Sequence, residues 1–378
     1  MNSINMKRWT EIDIGESLFD ILEGYSFKQL NIARYKYNIH SEEFNDMDEL
    51  MRAVGSKILE AFKDHIPCLD YERYSILKRI ADGEGIENQC DAHSLYSFLI
   101  SDMALKSNKE DGICILPVEL FNIFRELDSP FMKENAKRNS ELYQLINGCL
   151  VSYGLIDIAK LKAIVEKHIG YEINDIDFRK LLDSCELVHG MILTEEPLVI
   201  SRNMDIKRVP YFISEQEKVN MFDYKEFAKE ELLHASNFLY VPETPCYWKL
   251  IMMLKRYFHC SEEISRCSAA ILINNAKACR EFDESMKFIV QELGYVTGAF
   301  MGEFMPFYGE LNNCTGKWAL KGHTPNEITK ILDPELYKKA QEMQENDEGP
   351  GRIIPFAVPQ EPIVKSTSIN NNGKKYMN

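Results

Sequence analysis

The stretch DIAKLKAIVEKHIGYEINDIDFRKLLDSCELVHGMILTEEPLVISRN, residues 157–203, decides the expected fold. Asp157 is a typical helix N-cap, and Gly170 is a typical stop for the helix that follows. A second helix is predicted over 173–187. Two apolar runs then flank a Glu-Glu-Pro turn, which predicts a β-hairpin over 191–201. The stretch therefore predicts two helices followed by a short hairpin.

Another helix is expected just before this stretch, because apolar residues recur at helical spacing over 141–156. Three helices followed by a two-stranded wing resemble a winged-helix module, here spanning residues 137–210. In such modules the third helix enters the major groove of DNA. The resemblance implies these candidate nucleic-acid contacts: Arg179, Lys180 and Arg202.

The charge of this region opposes binding to nucleic acid. Residues 141–210 contain 8 Lys and Arg against 11 Asp and Glu, a net charge of −3. Acidic residues on the predicted third helix and wing would repel phosphate groups. They are Asp175, Asp177, Asp183, Glu186, Glu195 and Glu196. The module is therefore expected either to read DNA or to bind another protein, and its charge favours a protein.

Residues 1–65 are expected to form a helical module. Ser26 can cap one helix, and a second amphipathic run follows over 47–62. This order resembles the SAP-like and Rho-N-terminal-like modules, which often bind nucleic acids. The candidate contacts here are Lys28, Arg34 and Lys36. The net charge of −4 over residues 1–60 favours the alternative, a helical hairpin with a structural role.

Residues 66–136 are expected to form a second winged-helix-like unit. Helices are predicted over 71–81, 94–105 and 118–127. Asp111-Gly112 is a typical hairpin turn between the second and third of these helices. The predicted fold class is therefore mainly α and multi-helical, with one or two winged-helix-like units contributing short β-hairpins.

Residues 211–345 are expected to form a helical domain. Ser214, with Glu217 three residues later, predicts a helix start with a capping box. Residues 346–378 combine Gly and Pro with no helical period, which predicts an extended linker and tail.

The segment GKWALKGHTPNEITKIL, residues 316–332, predicts an ordered turn into a helix. Thr324 can cap the helix, Pro325 suits its first position, and Glu327 can close a capping box. Trp318 is expected to pack on preceding helices and His323 to support the turn. These five residues form a candidate structural motif.

Residues 312–327, which contain Asn312-Asn313, Trp318 and the sequence KGHTPNE, resemble a stretch found in bacterial proteins that end in a SEC-C motif, a short zinc-binding tail. The sequence Gly-Lys-Lys-Tyr at 373–376 matches the core of that tail. Its metal ligands are missing, because no Cys follows Cys314 and no His follows His323. The resemblance implies a degenerate tail that binds no zinc.

The whole chain has 378 residues and a net charge of −15, which excludes a generally basic nucleic-acid-coating protein. Its ten cysteines lack the spacing of metal ligands, so no metal or cofactor is expected. The absence of a signal segment and of long apolar runs predicts a cytoplasmic protein with no membrane partner. Phosphate-binding glycine loops and nucleophile motifs are absent too, which predicts no catalytic residues.

The sequence leaves three functional hypotheses open. The first is a non-enzymatic, nucleic-acid-associated regulatory protein with DNA or RNA as partner. The second is an adaptor that binds proteins and no nucleic acid. The third, a metal hydrolase, would require His234, His259 or His323 to meet carboxylates in the fold.

Overall fold

Helices dominate the computed structural model, which confirms the mainly α prediction. The structure describes residues 15–37, 39, 44, 46–82, 106–107, 114–186, 190, 192–237, 239–335 and 337–338. The α-helices within these ranges are α1 (Leu18–Glu23), α2 (Phe27–Lys36), α3 (Met47–His65), α4 (Tyr71–Ala81), α5 (Val118–Leu127), α6 (Pro130–Tyr153), α7 (Ile158–Ile169), α8 (Asp175–Ser184), α9 (Val209–Lys218), α10 (Lys229–Ala235), α11 (Pro245–Phe258), α12 (Glu262–Lys277), α13 (Phe282–Glu292), α14 (Gly298–Cys314) and α15 (Pro325–Leu332). Short 3-10 turns occupy Ile66–Cys68, Ile206–Arg208 and Trp318–Leu320.

Two small antiparallel sheets accompany the helices. Their strands are β1 (Lys106–Ser107), β2 (Cys114–Ile115), β3 (Leu155–Asp157), β4 (Ile192–Glu195) and β5 (Leu198–Ser201). β1 pairs with β2, while the second sheet has the order β3-β5-β4. In the second sheet, Ile156 lies opposite Val199 and Leu193 lies opposite Ile200.

The chain divides into two units. The first comprises residues 1–206 and 226–242, and the second comprises residues 207–225 and 243–378. The first unit thus includes α10, which follows a segment that belongs to the second unit. The second unit contains α9, which precedes α10 in the chain, and all the elements from α11 onwards.

One hydrophobic core joins the first five helices of the first unit. Val54 and Phe62 of α3 belong to the same buried cluster as Leu77 of α4 and Leu120 of α5. The domain boundary predicted between residues 65 and 66 therefore separates helices that share one hydrophobic core. The predicted subdivision of this unit into smaller modules remains a prediction.

Local signals in the sequence account for the ends of several helices. Asp157 caps α7 by accepting backbone N–H groups of Ala159 and Lys160 at 2.8 and 3.2 Å. Gly170 ends the same helix with φ of 78°, a left-handed conformation that glycine adopts without a Cβ clash. Ser26 caps α2 as predicted, with Gln29 completing a capping box.

Two sequence predictions are wrong. Ser214 does not start a helix; it lies inside α9, which begins earlier at Val209 with Pro210 in its first turn. The helix expected to run to residue 156 ends at Tyr153. Gly154 breaks it, and the next residues form β3, which pairs with β5.

Three other predictions fall on residues outside the described ranges. They are the helix over 94–105, the Asp111-Gly112 turn, and the linker and SEC-C-like tail over 346–378. The neighbouring predicted helices over 71–81 and 118–127 are present as α4 and α5.

Candidate functional site

The helix α8 owes its position to one cap and one apolar face. The Asn174 side chain accepts the backbone N–H of Asp177 at 2.8 Å, which fixes the start of the helix. Phe178, Leu181 and Leu182 are buried. Ser184 is buried as well, whereas the other side chains of the helix are exposed to solvent.

These exposed side chains and the neighbouring β4–β5 turn form a surface that we call the α8 face. Its members are Asp175, Ile176, Asp177, Arg179, Lys180, Asp183, Glu195 and Glu196. Five are carboxylates and two are cations, so the face is negative. Ile176 adds an apolar side chain that is 70% exposed.

One of the two cations is already paired with a carboxylate of the same face. Arg179 of α8 forms an ion pair with Glu196 in the turn between β4 and β5. Asp175 pairs with Lys162 of α7 at 2.7 Å. Both pairs include strongly exposed side chains, and ion pairs at such positions contribute little to stability.

One carboxyl group of this face, that of Asp183, binds its proton more tightly than an ordinary aspartate does. Partial burial, and then the nearby charge of Glu186, raise the pKa of the Asp183 carboxyl. A carboxylate held among other carboxylates resists ionisation, whereas phosphate would add still more negative charge. The electrostatics of this face therefore favour a cationic ligand.

The other two basic candidates of this region are Lys180 and Arg202. Both are exposed, Lys180 on α8 and Arg202 directly after β5. Lys180 lies close enough to His65 to help lower the pKa of that imidazole, although burial of His65 is the larger cause.

The remaining basic candidates, Lys28, Arg34 and Lys36, lie on α2. Arg34 donates through Nε to the Ile39 carbonyl at 3.2 Å, and its guanidinium lies 5.0 Å from the centre of the Phe44 ring. The Lys36 ammonium lies 5.6 Å from the Tyr37 ring centre. Arg34 and Lys36 thus contact the chain that follows α2. Lys28 lies exposed in the first turn of the helix.

The segment from Gly316 to Ile328 forms a tightly bonded turn. The backbone N–H of Lys317 donates to the His323 carbonyl at 3.0 Å, and that of Gly322 donates to the Lys317 carbonyl at 2.9 Å. Trp318 is buried, and its ring packs edge-on against Phe212 with centres 5.8 Å apart.

The same turn leads into α15 through a complete capping box. The Glu327 carboxylate accepts the backbone N–H of Thr324 at 2.9 Å, and the backbone N–H of Glu327 donates to the Thr324 hydroxyl at 3.1 Å. Pro325 occupies the first turn. The Lys225 ammonium pairs with Glu327 at 2.6 Å, which joins this turn to the segment that follows α9.

His323 has structural contacts within the second unit. Its Nε2 atom lies 3.0 Å from the Asp223 carbonyl, and its Nδ1 atom lies 3.8 Å from a Glu327 oxygen. Its ring also lies beside that of Phe222, with centres 6.1 Å apart. These contacts hold the turn in one orientation and are typical of a structural residue.

The first unit contains a polar cleft of about 690 Å³ between α4, α6 and the end of α10. A buried ion pair between Asp70 and Arg73, 2.5 Å apart, lines one wall. Asn147 on the opposite wall donates to the Ser236 carbonyl at 2.7 Å. Each of these two bonds therefore satisfies polar groups on its own side of the cleft.

Neither a cluster of metal ligands nor a helix able to span a membrane is found in the part of the chain that the structure describes. In the described ranges, no three His, Cys, Asp or Glu side chains converge as metal ligands, and these ranges include His234, His259 and His323. No helix within the same ranges is long and apolar enough to cross a membrane.

One pair of residues has no signal in the sequence. Cys246 lies in the first turn of α11 and Cys314 at the end of α14, and each thiol is the largest influence on the pKa of the other. No spacing motif joins them in the sequence. Only the packing of α11 against α14 reveals the pair.

No family model, curated protein or solved structure matches this chain. The likeness to SEC-C proteins and to SAP-like modules thus remains an expectation from the sequence.

Proposed function

We propose that this protein is a non-enzymatic adaptor that binds a partner protein through the α8 face. The observation that carries the proposal is the charge of that face, which contains five carboxylates besides Ile176 and in which Arg179 is paired with Glu196. Of the functions expected from the sequence, protein binding agrees with this charge better than nucleic-acid binding does.

The order of elements supports a winged-helix unit within residues 137–210 as the scaffold of this face. Helix α6 is followed by β3, α7, α8, β4 and β5, and the sheet has the order β3-β5-β4. In this arrangement α8 is the third helix and the β4–β5 turn is the wing. These are the two elements that winged-helix proteins present to their ligands.

The chemistry of the face defines the partner. Carboxylates on the first turn of α8 and on the wing complement Lys and Arg side chains. An exposed isoleucine between them provides an apolar anchor of the kind that a protein interface buries. The partner is therefore a protein that presents a basic segment with an apolar side chain.

A cytoplasmic location is part of the same proposal. Its support is that the eight cysteines whose side chains the structure describes are free thiols, as is usual in a reducing compartment.

The test places a photoreactive phenylalanine analogue at position 176 of the full-length chain and irradiates its native cells. A matched control places the same group at Phe131 of α6, which is 75% exposed and lies outside the α8 face. We expect a protein adduct at position 176 that is lost when Asp177→Lys and Glu195→Lys are combined, and no such adduct at position 131.

A second measurement uses labelled random-sequence duplex DNA and single-stranded RNA, with fluorescence anisotropy recorded over a range of salt concentrations. We expect no salt-dependent binding. Binding that weakens steeply with salt, and is abolished by Arg179→Ala with Lys180→Ala, would establish the nucleic-acid regulator instead.

A further inference from the structure

A group of four side chains connects α11 and α14 in the second unit. Cys246 and Lys249 lie one turn apart on α11, and Glu310 and Cys314 lie one turn apart on α14. The Cys246 sulfur lies 3.8 Å from Oε1 of Glu310, whose Oε2 lies 2.7 Å from the Lys249 ammonium. The Cys246 sulfur thus lies beside the last turns of α14, which ends at Cys314, and each thiol is the largest influence on the pKa of the other.

The two cysteines differ in accessibility. Cys246 is 7% exposed, whereas Cys314 is exposed at the end of α14. Asn326 of α15 also approaches Cys314, with its Nδ2 atom 3.6 Å from the sulfur. An accessible thiol beside a buried second thiol is the arrangement of redox-sensing cysteine pairs.

The surroundings of Cys314 also favour its reactive form. The hydrogen bond from Cys246, assisted by the Asn326 amide, lowers the pKa of the Cys314 thiol to about 7 despite partial burial and the nearby Glu310 charge. The same hydrogen bond, together with burial, raises the pKa of Cys246. One thiolate and one thiol therefore coexist at neutral pH, and the thiolate is the accessible partner.

We propose that Cys314 and Cys246 are a hydroperoxide-reactive pair that oxidises to an intramolecular disulfide. The Cys314 thiolate attacks a hydroperoxide oxygen, the O–O bond breaks, and an alcohol or water leaves after taking up a proton. Cys314 is then a sulfenic acid.

The Cys246 thiol completes the reaction by attacking the Cys314 sulfur. The S–S bond forms, the S–O bond breaks, and the hydroxyl leaves as water with the proton of Cys246. Glu310 is positioned to accept that proton and pass it on, because its Oε1 atom already faces the Cys246 sulfur. The hydroperoxide supplies the oxidising equivalents, and both thiols are reduced groups before the reaction.

The first experiment treats the reduced full-length protein with one equivalent of hydrogen peroxide and maps its disulfides by peptide mass spectrometry. We expect a single Cys246–Cys314 disulfide that a dithiol reductant reverses. Cys267→Ser, which removes another exposed cysteine on α12, is the matched control and should form the same disulfide. A different pairing, or oxidation of Cys267 as fast as Cys314, overturns the proposal.

The second experiment separates the two steps. In Cys246→Ala, dimedone should trap a sulfenic acid on Cys314, since no resolving thiol remains. In Glu310→Gln, sulfenic acid should still form on Cys314, whereas the disulfide should form several-fold more slowly. No dimedone adduct in Cys246→Ala would contradict the reaction sequence.

The third experiment measures alkylation of Cys314 by iodoacetamide against pH. The wild-type midpoint should lie near 7, and Cys246→Ala should move it upwards, because the largest cause of the low pKa is lost. At pH 7 we expect Cys314 to react about tenfold faster than an ordinary exposed thiol. An unchanged midpoint in Cys246→Ala contradicts the pairing.

Discussion

Gly148 of α6 lies directly against the backbone of Leu232 of α10. A Cβ atom on Gly148 would lie 2.0 Å from the Leu232 carbonyl oxygen, well inside van der Waals contact. Only glycine allows the two helices to approach this closely. The close packing of α10 on α6 within the first unit therefore depends on a missing side chain.

Gly148→Ala should destabilise the first unit by about 2 to 3 kcal/mol, because the added methyl group forces the helices apart. Urea unfolding followed by circular dichroism measures the change. Gly302→Ala is the matched control, since its Cβ would meet nothing within 4 Å. It should be neutral or stabilise by up to about 1 kcal/mol. Equal midpoints for wild type and Gly148→Ala would contradict the close approach.

Two ion pairs of the same spacing should differ in their contribution to stability. Arg73–Asp70 has side chains only 5% and 11% exposed, whereas Lys57–Glu60 has side chains 44% and 59% exposed. Asp70→Asn keeps the helix cap but leaves a buried guanidinium without its counter-charge, and should cost about 3 kcal/mol. Glu60→Gln should cost less than about 0.5 kcal/mol.

Chemical denaturation of both variants at one pH makes this comparison. A loss in Asp70→Asn no larger than that in Glu60→Gln would show that burial does not strengthen the first pair.

The capping box of α15 should contribute measurably to the stability of the second unit. Thr324→Ala removes the hydroxyl that accepts the Glu327 N–H, and should cost about 1 kcal/mol. Hydrogen exchange of the α15 amides measures this loss locally. Thr329→Ala, inside the same helix, should change stability by less than about 0.5 kcal/mol because alanine is a good helix former. Equal effects of the two substitutions would contradict the cap.

Lys317 should make the stability of the second unit depend on pH. Its ammonium donates to the Ala276 carbonyl and to Asn312, each at 2.6 Å, while burial lowers its pKa from 10.5 to about 8. Between these two values the unfolded chain binds the proton more readily than the folded chain. The unfolding free energy therefore rises with pH across that window.

Comparison with Lys317→Met isolates this contribution. From pH 8 to 10 the unfolding free energy of the wild type should gain about 2 kcal/mol relative to the variant. Lys277, whose pKa burial also lowers to about 8, titrates in both proteins and cancels in the difference. A difference that stays constant with pH would mean that Lys317 keeps its ordinary pKa.

Much of the local structure was predictable from short-range signals. Asp157 and Gly170 delimit α7, and Thr324 with Glu327 starts α15. A cap is decided by side chains within three or four residues of the backbone groups that they bind, so the sequence contains all of the required information. The hairpin over β4 and β5 was predictable for the same reason.

The two errors have different causes. The three-residue strand β3 is too short to show an alternating pattern, and it exists because the distant β5 offers hydrogen-bond partners. Ser214 has the local pattern of a cap, yet it lies within α9, whose first turn contains Pro210. In that case one local helix-start signal outweighed another.

The sequence by itself determined the mainly α class, the helix caps and the acidic character of the region around α8. Only the tertiary structure decided which charges meet, as with Arg179 and Glu196, and that Cys246 lies beside the end of α14 that carries Cys314. Composition and periodicity record what each residue prefers near its chain neighbours. Contacts between distant residues depend on how whole helices pack, and no local pattern records that.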